Sequence, residues 1–243
     1  MQATVHYLYN SGFALETEKH LFIFDYYLDD PPSGGLRHGV INPREIAALG
    51  KETVVLVSHG HFDHFNRVIF GWRGAIPGVR YILSSDIPHR PGIAAAIAPG
   101  EERDFGDFTL RALRSTDLGV AFLIKTEGST LYHGGDLNWW HWEGEPEEDN
   151  REMALLYKKE IDSLAGEHID LAFLPLDPRL EQPAYLLGMD YFLRHVEVGR
   201  VLPMHFGDDG RVFDWLERDP RAAAYRDRVV RIERRGQSFS LEL

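Results

Sequence analysis

The sequence SHGHFDHF at residues 58–65 constrains this chain more than any other segment. It directly follows TVVLV at residues 53–57, a run rich in β-branched residues that predicts a short buried strand. Imidazole and carboxylate are usual protein ligands for zinc and similar divalent ions. Because several such groups diverge from one loop, the segment predicts two neighbouring metal positions rather than a solvated loop. The candidate ligands in this segment are His59, His61, Asp63 and His64.

Length and composition are those of an ordinary globular protein. The 243 residues can bury a sizeable core, and no linker or repeat divides them, so we expect a single domain over residues 1–243. Acidic residues exceed basic residues by 38 to 26, and the net charge of −12 disfavours a nucleic-acid partner. The sequence has no cysteine, so a metal must be held by histidine, carboxylate or water.

The N-terminal segment has neither the basic region nor the long apolar region of a signal peptide. No apolar run in the sequence approaches membrane-spanning length. We therefore expect a cytoplasmic protein with no membrane partner, and a homo-oligomer is left open.

Apolar runs of strand length alternate with helix signals along the chain, which predicts a mixed α/β domain. The predicted strands lie at residues 3–9, 12–16, 21–25, 53–57, 79–84, 107–114, 119–126, 130–133, 170–177, 200–205 and 228–234. Helices are predicted at residues 42–50, 65–70, 150–164, 184–196 and 213–217, and a short helix or turn at residues 94–97.

Polar residues stand where several of these strands end. Asp136 follows the strand at residues 130–133 through two glycines, and His205 follows a short apolar strand. In layered α/β folds, ligands collect at such strand ends. The histidine-rich segment needs partners, so Asp136 and His205 are predicted to be metal ligands as well.

The ordered motifs SHGHFDH, GGD at residues 134–136 and MHF at residues 204–206 resemble those of the metallo-β-lactamase-fold hydrolases. The resemblance covers nearly the whole chain and is closest to the cytoplasmic, lactonase-like branch, which has many uncharacterised members. It implies a four-layer αββα sandwich in which two mixed β-sheets are flanked by helices, with a dinuclear metal site. It also implies that His59 and His61 bind a first metal, that Asp63, His64 and His205 bind a second, and that Asp136 bridges them.

The chain departs from the family pattern at one place. The family supplies a third histidine to the first metal after a strand that here ends in Ser115-Thr116-Asp117. Asp117 or Ser115 stands at that position, and an oxygen ligand at Asp117 would shift the preference of the site from zinc towards manganese or iron. Alternatively, the first metal is weakly held or absent. We expect one strong and one weaker metal position, with zinc as the first expectation, and His133 as a structural or supporting residue.

The resemblance implies a metal-dependent hydrolase in which activated water attacks a small ester, lactone or phosphodiester. Asp63 is expected to orient the water and accept its proton, while His64 and Asp136 hold the geometry. The alternatives are a nuclease of the same fold, and a catalytically weakened member that binds a ligand through its metal site. The missing third histidine supports the second alternative, and an antibiotic-degrading role is disfavoured.

Three further residues are candidates for substrate binding. Arg179 is expected either to bind a carboxylate or phosphate or to pair with Asp177. Trp139 and Trp140 follow Asp136 closely and form either a pocket wall or part of the core.

Overall fold

A computed structural model of the chain describes residues 1–31, 34–88 and 92–243. The chain divides into two compact units, each built around one β-sheet. Unit 1 comprises Met1–Ala98 and Glu233–Leu243, and unit 2 comprises Pro99–Ile232. The single domain over residues 1–243 stays a prediction.

The sheet of unit 1 has seven strands in the described residues, in the order β13-β1-β2-β3-β4-β5-β6. Pairing is antiparallel from β13 to β3 and parallel from β3 to β6. Because β1, β3, β4 and β5 therefore run in the same direction, the loops that follow them leave from one edge of this sheet. The strands are β1 (Gln2–Tyr9), β2 (Gly12–Glu16), β3 (His20–Phe24), β4 (Glu52–Val57), β5 (Arg80–Ser84), β6 (Ala95–Ile97) and β13 (Ser238–Glu242).

The helices of unit 1 are short. Helix α1 (Pro43–Ala48) begins as predicted, because the side chain of Asn42 accepts the backbone N–H of Arg44 at 3.1 Å and proline occupies the first turn. The helix predicted at residues 65–70 is instead a 3₁₀ helix, Arg67–Gly74, and a second 3₁₀ helix spans Leu36–His38. Two glycines in Arg67–Gly74 disfavour an α-helix, and its buried Trp72 packs into the core of unit 1.

The sheet of unit 2 has six strands in the described residues, in the order β12-β11-β10-β9-β8-β7. Strands β7 to β10 pair antiparallel, whereas β10, β11 and β12 pair parallel. The predicted hairpin of β9 and β10 is confirmed, with positive φ angles at Glu127 and Gly128 in its turn. The strands are β7 (Glu102–Asp104), β8 (Phe108–Arg114), β9 (Val120–Thr126), β10 (Ser129–His133), β11 (His168–Pro175) and β12 (Glu197–Met204).

Helices cover one region of this sheet through aromatic contacts. The ring of Phe192 lies 4.9 Å from that of Tyr132 on β10, and the hydroxyl of Tyr157 donates to the carbonyl of Gly188 at 2.7 Å. These contacts fix α4 on the sheet and α2 on α4. The helices are α2 (Glu147–Asp162), α3 (Glu181–Ala184), α4 (Leu187–His195) and α5 (Arg211–Arg218), with 3₁₀ helices at Pro178–Leu180, Pro220–Ala224 and Arg226–Arg228.

Two further predicted elements are wrong. Residues 94–97 contain strand β6 rather than a helix or turn, because pairing of Ala96 with Leu83 on β5 outweighs the helix propensity of alanine. Residues 228–234 were predicted to form a strand, but they pair through one isolated β-bridge, from Val229 to Val201. The final strand is β13, which pairs with β1 after a turn in which Gly236 has a φ of +75°. Among the described residues, no helix combines the length and apolar character that crossing a bilayer requires.

Candidate functional site

A buried carboxylate organises the histidine-rich loop of unit 1. Asp25 directly follows β3, and its side chain is inaccessible to solvent. It accepts hydrogen bonds from the backbone N–H of Ser58 at 2.7 Å, from the Ser58 hydroxyl at 2.6 Å and from Nδ1 of His64 at 2.8 Å. Because Nδ1 of His64 is bound to Asp25, Nε2 is the ring nitrogen that faces Asp63, whose Oδ2 lies 3.8 Å away.

The first two histidines of the motif converge. The Ser58 hydroxyl hydrogen is donated to Asp25, so its oxygen accepts the Nδ1–H of His59 at 3.0 Å. Nε2 of His59 then lies 3.0 Å from Nδ1 of His61. Two nitrogen ligands of one tetrahedral zinc ion, each about 2.0 Å from it, lie roughly 3.3 Å apart. The two imidazoles therefore have nearly the spacing of two ligands of one ion.

Two neighbouring residues of unit 1 support this loop. Asp86, which follows β5, accepts the backbone N–H of Gly60 at 2.8 Å. Asn10, which follows β1, donates from Nδ2 to Oδ2 of Asp63 at 3.4 Å. The backbone between the first two histidines and the carboxylate of Asp63 are thus both held from strand ends.

In unit 2, Asp177 occupies the same kind of position as Asp25 does in unit 1. It follows β11, is inaccessible to solvent, and contacts Nδ1 of His205 at 3.0 Å. Burial raises the pKa of Asp177, but hydrogen bonds from His205 and Arg179 outweigh burial, so this pKa lies below its usual value. Since an ionised carboxylate only accepts, Nδ1 of His205 carries the hydrogen, and Nε2 faces Oδ1 of Asp136 at 3.4 Å.

The turn that replaces the missing histidine is tied to the loop after β10. Thr116 donates its hydroxyl hydrogen to the carbonyl of Asn138 at 2.6 Å and accepts the Asn138 N–H at 3.0 Å. The Ser115 hydroxyl accepts the backbone N–H of Asp117 at 3.1 Å. A carboxylate oxygen of Asp117 lies within 4.8 Å of one of Asp136. Of the two candidates for this position, Ser115 stabilises the turn, whereas Asp117 places its carboxylate beside that of Asp136.

Gly134 and Gly135 set the path of the chain into Asp136. A Cβ atom on Gly134 would lie 3.2 Å from Cδ of Pro175 and 3.3 Å from the carbonyl oxygen of Phe173, and Gly135 has a φ of +51°. The buried His133 accepts the N–H of Gly135 at 3.2 Å through Nδ1, so in the structure it serves this turn.

A cavity of about 270 Å³ in unit 2 adjoins these carboxylates. Trp140 forms part of its wall, donates its indole N–H to the carbonyl of Asp136 at 3.0 Å and lies 5.4 Å from the ring of His205. Trp142, the third tryptophan after Asp136, lies parallel to Trp140 with ring centroids 6.1 Å apart. The residues lining the cavity are Thr116, Asp117, Asp136, Trp140, Trp142, Met153 and Arg179.

The structure places Trp139 elsewhere. Its ring lies 4.2 Å from Nζ of Lys158 on α2 and 6.3 Å from the ring of Tyr191 on α4, so it packs against these two helices. Of the two roles expected for Arg179, the structure shows the ion pair with Asp177, through Nε at 2.9 Å, and Arg179 also lines the cavity.

No family model matches the chain. A curated relative, the UPF0173 metal-dependent hydrolase of Bacillus pumilus (strain SAFR-032), is 24% identical over 233 residues, which cover 80% of this chain and 82% of that protein. The solved structure of Igni18, a metallo hydrolase from Ignicoccus hospitalis, covers both chains completely with a TM-score of 0.64 and 16% identity.

The metallo-β-lactamase fold protein YhfI from Bacillus subtilis matches 98% of this chain and 99% of its own, with a TM-score of 0.63 and 14% identity. The likeness confirms the predicted fold class, two mixed sheets with flanking helices. CmlA, a diiron β-hydroxylase from Streptomyces venezuelae, also matches 99% of this chain and 54% of its own, with a TM-score of 0.61 and 12% identity. The fold alone therefore fixes neither the metal nor the reaction.

Proposed function

We propose that this chain is a metal-dependent hydrolase of the metallo-β-lactamase fold, as the sequence motifs predicted, and that it hydrolyses a small ester, lactone or phosphodiester with one or two bound divalent ions. The relatives support metal dependence and hydrolysis. The substrate class, the metal and the residues assigned below are our proposal.

The proposal rests mainly on the orientation of three histidine rings. His59, His64 and His205 each direct Nδ1 to a side-chain oxygen, which fixes the ring and selects Nε2 as the ligand atom. Facing electron pairs on nitrogen and oxygen repel each other unless a proton or a cation lies between them. The donor set, which is imidazole and carboxylate without thiolate, suits zinc, manganese or iron. Nε2 of His59 lies 3.0 Å from Nδ1 of His61. Nε2 of His64 lies 3.8 Å from Oδ2 of Asp63, and Nε2 of His205 lies 3.4 Å from Oδ1 of Asp136.

We assign the ligands as the resemblance implies. His59 and His61 would hold one ion, Asp63, His64 and His205 would hold the other, and Asp136 would contribute to both. We add Asp117 to the first set because its carboxylate lies beside that of Asp136. An oxygen ligand in place of imidazole weakens the hold on zinc, so the first position is the weaker one and accepts manganese or iron more readily.

When bound, the metal lowers the pKa of a water molecule towards neutrality and polarises the carbonyl or phosphoryl group under attack. Asp63 orients the attacking water and accepts its proton. Its carboxylate is positioned for this role by a hydrogen bond from Asn10 at 3.4 Å. His64 is fixed by Asp25, and Asp136 is fixed through its backbone carbonyl by Trp140, so both hold the geometry.

The net charge of −12 disfavours a same-fold nuclease, which would need a basic surface for nucleic acid. The cavity of about 270 Å³ is at the small end for ligand sites, which agrees with a small substrate. A cytoplasmic location remains part of the proposal. The substitution of the third histidine by Asp117 supports a second candidate, a metal-binding member that retains a ligand without turnover.

Hydrolysis of a substrate panel distinguishes the two candidates. The panel contains lactones, simple esters, phosphodiesters, thioesters and β-lactams, and each is tested with zinc-loaded, manganese-loaded and chelated protein. We expect turnover of at least one lactone, ester or phosphodiester, loss of turnover on chelation, and a rate about 10²- to 10⁴-fold lower in Asp63→Asn. Equal rates for Asp63→Asn at equal metal content would contradict the role of Asp63, and no turnover at full metal content would favour the second candidate.

A further inference from the structure

The cavity of unit 2 combines two chemically different parts. Its polar part holds the carboxylates of Asp117 and Asp136, candidate metal ligands whose oxygens lie within 4.8 Å of each other. Its apolar part is formed by Trp140, Trp142 and Met153. In ligand sites a few polar groups fix the orientation of the ligand, and the apolar surface binds the remainder. One cavity of about 270 Å³ therefore offers a place for a reacting group and a place for an apolar group.

Helix α2 holds Trp142 at this cavity through the amide side chain of Asn150. Nδ2 of Asn150 donates to the carbonyl of Trp142 at 3.0 Å, and Oδ1 accepts the backbone N–H of Trp142 at 3.0 Å. Asn150 is buried, and asparagine is a poor helix former. Since both ends of its amide are used on one residue, Asn150 fixes the backbone from which the indole of Trp142 projects.

Two side chains also contact the indole of Trp142. The ring of Trp140 lies parallel to it within 3°, with centroids 6.1 Å apart, and Cζ of Arg179 lies 5.7 Å from its centroid. Trp140 is itself fixed, because its indole N–H is donated to the carbonyl of Asp136 at 3.0 Å. The two parallel indoles thus form an aromatic wall that begins beside Asp136.

Met153 completes the apolar wall from α2. It lies three residues after Asn150, so both side chains project from the same face of the helix. Trp142 and Met153 are each half-buried, whereas other apolar side chains of α2, such as Tyr157 and Ile161, are buried. The core of unit 2 therefore leaves part of Trp142 and part of Met153 exposed where they line the cavity.

We propose that Trp142 and Met153 bind a flat apolar group of the substrate, such as an aromatic ring, and that Asn150 is the positioning residue that keeps Trp142 in place. This inference rests on the proposed function, which places the bond under attack at Asp136 in the same cavity. Aromatic rings pack well against indoles in offset or edge-to-face geometry, and the flexible side chain of Met153 adapts to substituents. The substrate is thereby narrowed to esters, lactones or phosphodiesters that carry an aryl group.

The test compares two small probes that share a metal-binding head, phenylphosphonate and methylphosphonate, on the zinc-loaded chain of residues 1–243. Affinities are measured by isothermal titration calorimetry, and zinc content is measured in every variant. We expect phenylphosphonate to bind about 10-fold or more tightly, because its ring is buried against apolar surface that a methyl group is too small to cover. Trp142→Ala should reduce this preference to less than about 3-fold, whereas Trp142→Phe should retain most of it.

Asn150→Leu tests the positioning role, since it removes both hydrogen bonds to Trp142 and nearly keeps the side-chain volume. We expect weaker binding of phenylphosphonate, with unchanged zinc content and unchanged affinity for methylphosphonate. Asn150→Asp keeps the acceptor for the Trp142 N–H and loses the donor, so it should retain part of the preference. An equal loss for both probes in Asn150→Leu would show a general structural role and contradict the positioning role.

The matched control is Trp215→Ala, which removes an indole of α5 whose centroid lies 5.2 Å from that of Tyr185. Trp215 is not among the described residues that line the cavity, so this variant should retain the full preference. Equal affinities for the two probes in the parent protein, a preference that survives Trp142→Ala, or no saturable binding of phenylphosphonate would each overturn the inference.

The hydrolysis panel is read separately from probe binding. Turnover of the panel without any preference for phenylphosphonate would leave the proposed function standing and remove the aromatic subsite. A preference that depends on Trp142, without turnover of any substrate, would retain the subsite and remove the hydrolase assignment.

Discussion

The carboxylate of Asp25 contacts Nδ1 of His64 at 2.8 Å, and neither side chain is accessible to solvent. The same relationship holds in unit 2, where Asp177 contacts Nδ1 of His205 at 3.0 Å. In both units the carboxylate lies just beyond a strand, directly after β3 for Asp25 and after Leu176 at the end of β11 for Asp177, and the histidine follows the neighbouring parallel strand. The edge of each sheet thus fixes the orientation of an imidazole before any metal binds.

Asp25→Asn should weaken metal binding by about 10- to 100-fold, since loss of the partner that orients a ligating histidine has this effect. Affinity is measured by competition with a zinc chelator of known strength. The control is Asp29→Asn, because Asp29 also accepts a side-chain hydrogen bond in unit 1, from the hydroxyl of Tyr26 at 2.6 Å. Unchanged zinc affinity in Asp25→Asn, with a normal circular dichroism spectrum, would argue against this role of Asp25.

Asp117→His should restore the histidine that the family pattern contains at this position. We expect the weaker metal position to bind zinc about 10-fold more tightly and to lose part of its acceptance of manganese, because imidazole is the softer ligand. Titration of the second metal equivalent by calorimetry measures the change. Glu143→His, an exposed acid outside the candidate ligands, serves as the control. If both variants bind the second equivalent alike, Asp117 is not a ligand.

Asp219→Asn should destabilise the protein in a pH-dependent manner. The hydrogen bonds from Arg221 hold the pKa of Asp219 below its usual value, outweighing the effect of burial. Because the folded-state pKa is depressed, the contribution is complete above the unfolded-state value of 3.8 and is lost as the pH falls through the folded-state pKa. Urea unfolding should show a cost of about 1 kcal/mol at neutral pH that shrinks at acidic pH. A loss of unfolding free energy in Asp219→Asn that is the same at neutral and at acidic pH would contradict the lowered pKa of Asp219.

Gly134→Ala should cost about 1–3 kcal/mol of folding free energy, because its new methyl group would press on Pro175 and on the backbone carbonyl of Phe173. Gly71→Ala is the matched control, since a Cβ atom there meets no described atom within 4 Å. Thermal unfolding of both variants measures the difference. Equal melting temperatures would show that the strands around Gly134 have room to adjust.

The motifs that lie close together in the sequence were the predictable part of this site. Residues 58–65 carry their candidate ligands within one loop, and the apolar run before them identifies the strand that presents the loop. The order of the strands and of the strand-end residues also sufficed to predict the fold class, two mixed sheets with flanking helices. These features depend on local spacing, which a sequence displays directly.

Partnerships across long sequence separations were not predictable. Asp25 and His64 are 39 residues apart, and only the parallel pairing of β3 with β4 brings them together. The sequence does show that Asp25 is an acid directly after a buried strand, but this pattern does not indicate that His64 is its partner. Trp139 and Trp142 illustrate a second limit, because the direction of a side chain in an irregular loop depends on the helices around it.

The most direct test of the central claim is the metal content of the purified chain after reconstitution with zinc or manganese, measured by inductively coupled plasma mass spectrometry. The parent protein should hold between about one and two ions per chain, because one position is strong and the other weak. The double variant His64→Ala, His205→Ala should lose the strongly held ion, whereas His195→Ala, which removes a histidine stacked on Tyr191, should not. A parent protein that binds no metal, or a double variant that binds as much as the parent, would contradict the claim that these residues form a metal centre.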